Sequence, residues 1–375
     1  MTQPIPLINV ALQNQALRRE IDEAISGVVS SGAFILGPEV TQFEEEFKVY
    51  TGVPHAIGCA SGTDGLLLPL MALGVGPGDE VLCPSFTFYA TAGSIARLGA
   101  RPVFVDSDES YNMCPRDAAR KMSPKTKAII PVHLFGQMAD MPAILKLARD
   151  ASKPGHRVGV IEDACQSMGA SLEGRQTGLW GDFTAYSFYP TKNLGAMGDA
   201  GMMACLTAED AEALRMLRVH GSKVRYYHEF IGVNSRLDSI QAAILRVKLR
   251  HLRGYEDARA RHAEHYTKLF SGLEEYVRLP VALPNRRNVW NQYTVRVRDR
   301  DALRQYLADQ KIGTEIYYPL PMHEQKAFAY AGFRKGDLPV CEALEREVLS
   351  LPMFPELEPA QVERVVEAVR GFYRR

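Results

Sequence analysis

A lysine that follows a serine by five positions is the first candidate for chemistry in this sequence. Ser187 and Lys192 stand in the segment SFYPTKN, and glycines follow at positions 195, 198 and 201. A deprotonated lysine amine can form a Schiff base with an aldehyde, and a nearby hydroxyl can hold a phosphate group. The same pattern could belong to a surface lysine after an aromatic strand. The other motifs have to distinguish this alternative from a Schiff-base lysine.

The second candidate is an aspartate at the end of the strongly apolar segment RVGVIED (157–163). Burying the Asp163 carboxylate costs free energy unless a cation pairs with it. A protonated pyridine nitrogen is such a cation, and keeping the proton there makes the ring a better electron sink. Gln166 could contact a hydroxyl on the same ring. An aspartate that only caps a turn is the alternative.

Two further segments complete the set. SGTDG (61–65) opens a predicted helix, where free amide groups, a hydroxyl and the helix dipole favour an anion; an ordinary helix cap is the alternative. Phe88 could stack on a flat ring or could belong to the core. A phosphate helix, a stacking aromatic, a strand-end aspartate and a lysine occur in the order found in fold-type I enzymes that use pyridoxal 5'-phosphate (PLP).

Short apolar strands alternate with helices from about residue 55 to residue 205. This alternation indicates crossover connections and a largely parallel sheet. Ligands bind beyond the carboxyl ends of the strands in such a sheet. The residues that fall at or near those ends are Asp106, His133, Asp163 and Ser187.

The sequence changes character after about residue 236, where positions 237–271 form one long amphipathic helical pattern. Short strands and helices follow it. We therefore expect an α/β protein in which residues 1–250 form a large domain with a mostly parallel sheet. Residues 251–375 would form a smaller α+β domain, joined to the first by the long helix.

The composition narrows the classes of function. Lysine plus arginine (44) equals aspartate plus glutamate (44), which leaves no excess positive charge for nucleic acid. The six cysteines are scattered without metal-ligand spacing, which predicts reduced thiols and no metal site. The sequence shows neither an apolar run of about eighteen residues nor a leader peptide. We expect a cytoplasmic protein that binds neither membrane nor nucleic acid.

Longer stretches of the chain resemble the DegT/DnrJ/EryC1/StrS family of sugar aminotransferases. The matching stretches are GPEVTQFEEEF (37–47), SGTDGL (61–66), GVGPGDEV (74–81), EDACQSMGA (162–170), SFYPTKNLGAMGDAG (187–201), GVNSRLDSIQAAIL (232–245) and LSLPMFP (349–355). The resemblance covers essentially the whole chain. It implies the fold-type I PLP-dependent transferase architecture and PLP as the cofactor.

The resemblance also implies a role for each matching residue around the cofactor ring. Lys192 would form the Schiff base and later move the proton. Asp163 would pair with the pyridine nitrogen, and Gln166 would contact the ring oxygen. Phe88 would stack on the ring.

At the cofactor phosphate, the resemblance implies contacts from Gly62, Thr63 and Ser187. Asn234 resembles the residue that reaches the phosphate of the neighbouring subunit's cofactor. The active site would then be complete only in a homodimer.

The reaction implied by the resemblance moves an amino group from L-glutamate to a nucleotide-linked keto-sugar. Positions 220–228 and the following GVNSRLD (232–238) resemble the branch that aminates C3, and most closely its enzymes for UDP-linked 3-keto-N-acetylglucosaminuronic acid. Arg236 would contact the uronate or a phosphate, or would form an interface salt bridge. That subgroup has a His-Tyr pair where this chain has Tyr317 and Tyr318. A tyrosine cannot carry the positive charge that a histidine can place near the uronate. A neutral dTDP-3-keto-6-deoxyhexose is the main rival, and His323 is a further candidate for substrate contact.

Two other functions stay open at this point. The chain could aminate a 4-keto-sugar nucleotide, or it could be a non-catalytic PLP-binding regulator. A dehydratase is disfavoured, because the dehydratases of the family replace the lysine with histidine and this chain keeps Lys192.

Overall fold

The computed structural model describes residues 3–374. Its helices are α1 (Val10–Ala16), α2 (Arg18–Ser31), α3 (Pro38–Thr51), α4 (Gly62–Ala72), α5 (Tyr89–Arg97), α6 (Pro115–Lys121), α7 (Met141–Ala151), α8 (Ala208–Leu217), α9 (Ser239–Leu249), α10 (Leu252–Leu269), α11 (Arg300–Asp309), α12 (Pro339–Glu347) and α13 (Pro359–Tyr373). Short 3-10 helices cover Leu134–Gly136, Met322–Glu324 and Lys326–Ala331.

The strands of the same region form four sheets. They are β1 (His55–Cys59), β2 (Glu80–Pro84), β3 (Arg101–Val105), β4 (Thr126–Ile129), β5 (Gly159–Asp163), β6 (Ser171–Leu172), β7 (Arg175–Gln176), β8 (Phe183–Ser187), β9 (Gly201–Cys205), β10 (Ser222–Val224), β11 (Tyr227–His228), β12 (Val277–Arg278), β13 (Arg286–Arg287), β14 (Tyr293–Val297) and β15 (Val348–Leu351).

The main sheet has seven strands in the order β1-β9-β8-β5-β4-β2-β3. The neighbours from β8 to β3 pair in parallel, and β9 runs antiparallel to both β8 and β1. Alternate side chains enter buried clusters on opposite faces: Val81 and Cys83 pack with Leu66, whereas Leu82 packs with Ile144. The predicted α/β fold with a mostly parallel sheet is confirmed.

The C-terminal part contains the antiparallel sheet β12-β14-β15. The single long helix predicted over 237–271 is wrong, because α9 ends at Leu249 and α10 begins at Leu252. The two helices pack against different partners: α9 lies on α2 and α3, and α10 lies on α13. The boundary proposed at residue 250 falls at this junction. One buried cluster contains side chains from both sides of it, so the division into two domains stays a prediction.

None of the helices within residues 3–374 combines the length and the apolar character that crossing a membrane requires.

Lys248 is a buried cation in α9. Only 1% of its surface is exposed, and its Nζ has no hydrogen-bond partner among residues 3–374. Burial lowers the pKa of this amine from 10.5 to about 8, although the Glu356 carboxylate partly opposes the shift. Because the folded chain holds the proton less tightly than the unfolded chain, the charged amine destabilises the fold below about pH 8.

We expect Lys248→Met to raise the free energy of unfolding at pH 7 by about 1–2 kcal/mol. The gain should shrink as the pH rises from about 8 towards 10.5, because the wild-type amine then loses its proton in the folded state. Urea denaturation at pH 7 and pH 10 measures both values. Lys268→Met is the control, since this lysine side chain is 72% exposed. An equal effect of Lys248→Met at the two pH values would contradict the assignment.

Candidate active site

The carboxyl ends of four strands carry the residues predicted to do chemistry. The segments that leave β1 and β2 carry Gly62 and Phe88, β5 ends at Asp163, and β8 ends at Ser187 and leads to Lys192. Because these strands run in the same direction, their ends share one edge of the sheet.

The start of α4 lies directly against the end of β8. A Cβ atom added to Gly62 would lie 2.6 Å from the Ser187 Cβ, so only glycine allows this approach. The Ser61 hydroxyl caps the helix by accepting from the Asp64 N–H. The N–H groups of Gly62 and Thr63 belong to the first turn, which has no intrahelical acceptors. Together with the half-buried Ser187 hydroxyl, they fit the predicted phosphate site.

Asp163 offers a buried carboxylate without a salt bridge in the described part of the chain. It is 5% exposed, and its oxygens accept from the Thr91 hydroxyl at 2.8 Å and the Cys165 N–H at 3.2 Å. Within residues 3–374, no lysine, arginine or histidine nitrogen lies within 4.0 Å of it. A buried carboxylate in this position fits a protonated pyridine nitrogen as its missing partner.

Lys192 stands in the turn after β8, where its N–H donates to the Tyr189 carbonyl at 2.8 Å. Burial lowers the pKa of its amine, and the Asp163 carboxylate opposes this shift. Burial also raises the pKa of the neighbouring Cys165 thiol well above its ordinary value, so this thiol stays neutral at pH 7. The lowered pKa favours the unprotonated amine that Schiff-base chemistry needs.

Gln166 connects the segment around Phe135 with the aromatic residues Phe88 and Tyr318. Its Oε1 accepts from the Phe135 N–H at 2.8 Å, and its Nε2 donates to the Tyr318 hydroxyl at 3.0 Å. The second Nε2 hydrogen remains for a ring oxygen. The Phe88 ring is 57% exposed, and its centroid lies 6.3 Å from that of Tyr318. The alternative that Phe88 is a core aromatic is wrong.

The segment before α9 lies against the start of α4. Ser235 donates to the Asp64 carboxylate at 2.9 Å and accepts from the Ala60 N–H. Its neighbour Asn234 is exposed, and Arg236 is half-buried. An exposed Asn234 is available to a second subunit, and its predicted contact there stays a prediction, as does the predicted substrate contact of Arg236.

His323, the further candidate for substrate contact, is buried. Its side chain has no exposed area; Nδ1 lies 2.8 Å from the Ser85 hydroxyl and Nε2 lies 3.3 Å from Glu342. A direct substrate contact does not fit this burial. The imidazole instead holds the segment that carries Tyr318 against the end of β2. One ligand atom from each of His323, Glu342 and Glu324 lies within 4.8 Å of the others, and the expectation of no metal stays a prediction.

Two other strand-end residues have structural contacts. His133 Nδ1 accepts from the Ala139 N–H, so Nε2 carries the proton that it shares with Glu162 at 2.9 Å. Asp106 accepts backbone N–H groups of Ser107, Val340 and Cys341. The sequence reasoning missed Thr91, although it lies three positions after Phe88 and so on the same side of α5.

The comparison with protein families decides the class of protein. The model described as the DegT/DnrJ/EryC1/StrS aminotransferase family matches residues 15–370. The chain belongs to this family. It is therefore a PLP-dependent aminotransferase with the fold-type I architecture, which confirms the expectations for fold, cofactor and enzyme class.

Several family members cover nearly the full length of the chain. A protein of Geobacillus stearothermophilus named pleiotropic regulatory protein is 47% identical, over 99% of each chain. UDP-N-acetyl-3-dehydro-alpha-D-glucosamine 3-aminotransferase of Acidithiobacillus ferrooxidans is 44% identical, over 99% of each chain. dTDP-3-amino-3,4,6-trideoxy-alpha-D-glucose transaminase of Streptomyces venezuelae is 42% identical, over 100% of this chain and 97% of the relative.

A solved structure supports the same grouping. The crystal structure of S. venezuelae DesV in complex with a ketimine intermediate superposes with a TM-score of 0.95. Its sequence is 42% identical, and the match covers 100% of both chains.

We expect Gly62→Ala to weaken PLP binding at least about tenfold, which corresponds to about 1.4 kcal/mol. The added Cβ would push the start of α4 away from Ser187. PLP titration followed by absorbance gives the dissociation constant. Gly254→Ala is the matched control, because a Cβ there meets nothing within 4 Å and alanine favours the helix. An unchanged PLP affinity in Gly62→Ala would remove this glycine from the phosphate site.

Proposed function

We propose that this enzyme transfers an amino group from L-glutamate to C3 of an uncharged, nucleotide-linked 3-keto-sugar. The observation that carries the proposal is the position of the half-buried Lys192, whose amine has a lowered pKa, near the buried Asp163 carboxylate at one sheet edge. The choice of C3 is supported by the two full-length relatives whose names specify amination at C3.

The roles of the residues follow from their contacts. Bound PLP supplies an aldehyde and an electron-withdrawing ring. Lys192 would hold the cofactor through its amine, whose lowered pKa favours the unprotonated form, and when free this amine would move a proton to or from the substrate. Asp163 would hold the protonated ring nitrogen, and Gln166 would donate to the ring oxygen. Because all of these groups are buried or half-buried, water competes weakly with them.

The sugar is proposed to be uncharged because of the two tyrosines beside the site. Burial raises the pKa of Tyr317 and of Tyr318, so both phenols are neutral at pH 7. A uronate carboxylate would need a cation, and among the predicted substrate contacts Arg236 is the residue that always carries a positive charge. We assign Arg236 to the diphosphate of the nucleotide instead.

The half-reaction with the donor is tested by the visible spectrum of PLP-loaded protein. We expect a yellow protein whose colour disappears when L-glutamate is added, and a Lys192→Ala variant without this response. A yellow protein whose spectrum does not change with glutamate would favour another donor or the regulatory function. The regulatory function is the alternative because one relative is named pleiotropic regulatory protein. Colourless protein that takes up no PLP would contradict the proposal.

The acceptor is tested with protein that glutamate has already bleached. We expect colour to return with UDP-3-keto-N-acetylglucosamine or dTDP-3-keto-6-deoxyglucose, and to return at least tenfold more slowly with the 3-keto uronate. A matched 4-keto-6-deoxy sugar nucleotide is the control for the position of the ketone. Faster reaction with the uronate or with the 4-keto sugar would overturn the assignment of the sugar.

We also propose that the enzyme is a homodimer with shared active sites, located in the cytoplasm. The β10–β11 hairpin and the residues after it expose Val224, Tyr226, Tyr227 and Ile231 by 61% to 88%. Exposed apolar side chains in one patch favour a protein interface, and Asn234 lies just beyond them. The six cysteines are free thiols, which supports a reducing compartment.

The shared site predicts complementation between two inactive variants. We expect Lys192→Ala and Asn234→Ala homodimers to be impaired. Subunits that are mixed and allowed to exchange should recover about a quarter of wild-type activity, because a two-fold dimer of one of each variant contains one intact site. Light scattering confirms the dimer. Activity no higher than that of the separate variants would place Asn234 in the site of its own subunit.

A further inference from the structure

Thr91 and Thr87 form a chain of hydroxyl groups that ends on Asp163. The Thr91 Oγ1 lies 2.8 Å from the Asp163 Oδ2 and 3.2 Å from the Thr87 Oγ1. Thr91 has no exposed surface and Thr87 has 1%. A carboxylate can only accept, so Thr91 donates its single hydrogen to Asp163, and Thr87 must donate to Thr91.

The start of α5 fixes this chain relative to the site. Phe88 is the N-cap of α5, and the Thr91 N–H donates to its carbonyl at 3.3 Å. One helical turn therefore holds both the aromatic ring predicted to stack on the cofactor and the hydroxyl that contacts Asp163. The backbone of Asp163 is fixed independently, by the Pro131 carbonyl and the His133 N–H.

We propose that Thr91 is a positioning residue that sets the proton affinity of Asp163 and thereby keeps the proton on the cofactor ring nitrogen. The inference rests on the proposed role of Asp163. A hydrogen bond donated to a carboxylate stabilises its charged form, and bonds to charged groups are the stronger ones. With this donor present, the proton stays on the ring nitrogen; without it, the proton shifts towards Asp163 and the ring withdraws fewer electrons.

The readout is the pH titration of the visible band of PLP bound to Lys192. A ring that withdraws fewer electrons leaves the Schiff-base nitrogen more basic. We expect Thr91→Val to raise the pKa of this titration by about half a unit or more, and Thr87→Val to raise it by less. Thr91→Ser restores the hydroxyl and should return the wild-type titration.

The chain offers a matched control in the neighbouring strand. Thr184 has no exposed surface, and its hydroxyl donates to the buried Glu162 carboxylate at 3.2 Å. Glu162 precedes Asp163 in β5 and so faces the opposite side of the sheet. Thr184→Val removes an equivalent buried bond, and we expect it to lower stability while leaving the pKa of the cofactor titration unchanged.

Asp163→Asn separates the inference from the function on which it rests. We expect Asp163→Asn to raise the pKa of the cofactor titration by more than Thr91→Val does. If Asp163→Asn shifts the titration and Thr91→Val, loaded with PLP, does not, the role of Thr91 is overturned. If Asp163→Asn has no effect, the proposed role of Asp163 fails instead. Should Thr91→Val not fold, Thr91→Ala and Thr87→Val remove donors from the same chain, and two unchanged titrations would overturn the inference.

Discussion

Two adjacent carboxylates at the end of one strand impose the constraint on which this structure depends. Glu162 and Asp163 are both buried in β5, and burying a carboxylate costs free energy unless hydrogen-bond donors or a cation stabilise it. Groups of the protein stabilise Glu162: it accepts hydrogen bonds from the N–H groups of Gly178, Trp180 and Gly181, and a further hydrogen bond joins it to His133. Burial alone would raise the pKa of Glu162, but these donors lower it below the ordinary value.

Asp163 faces the other side and is left with fewer donors. The donors to its oxygens are the Thr91 hydroxyl and the N–H and thiol of Cys165. The protein thus retains a buried carboxylate with which a cationic ring nitrogen can pair. Bound cofactor would stabilise the fold through this same charge, because a ligand that binds the folded state alone shifts the unfolding equilibrium.

The remaining contacts of the site bring separate segments to that charge. Glycine at position 62 allows α4 to approach the end of β8, and the buried His323 ties the segment of Tyr318 to the end of β2. Gln166 then bonds Tyr318 to the segment that follows β5. Each of these residues acts by holding another in place, so the geometry of the site is distributed over several elements of the fold.

The sequence by itself determined the family, the cofactor and the identities of the residues at the sheet edge. Long motifs carry these features, and the positions of Lys192 and Asp163 follow from the apolar strands that precede them. Strand alternation also predicted the mostly parallel sheet, because short apolar segments between helices leave few other arrangements. The interrupted helix at residues 250 and 251 was not predictable in this way, since an amphipathic pattern does not reveal a change of packing partner.

Only the tertiary structure decided which polar residues face the site and which are structural. His133 follows an apolar strand and His323 was a candidate for substrate contact, yet long-range contacts bury both imidazoles against carboxylates. Thr91 shows the reverse: its spacing from Phe88 is the one local signal, and its partner lies 72 positions away in the chain. Hydrogen bonds between distant segments depend on how strands and helices pack, and sequence spacing records only the local part of that geometry.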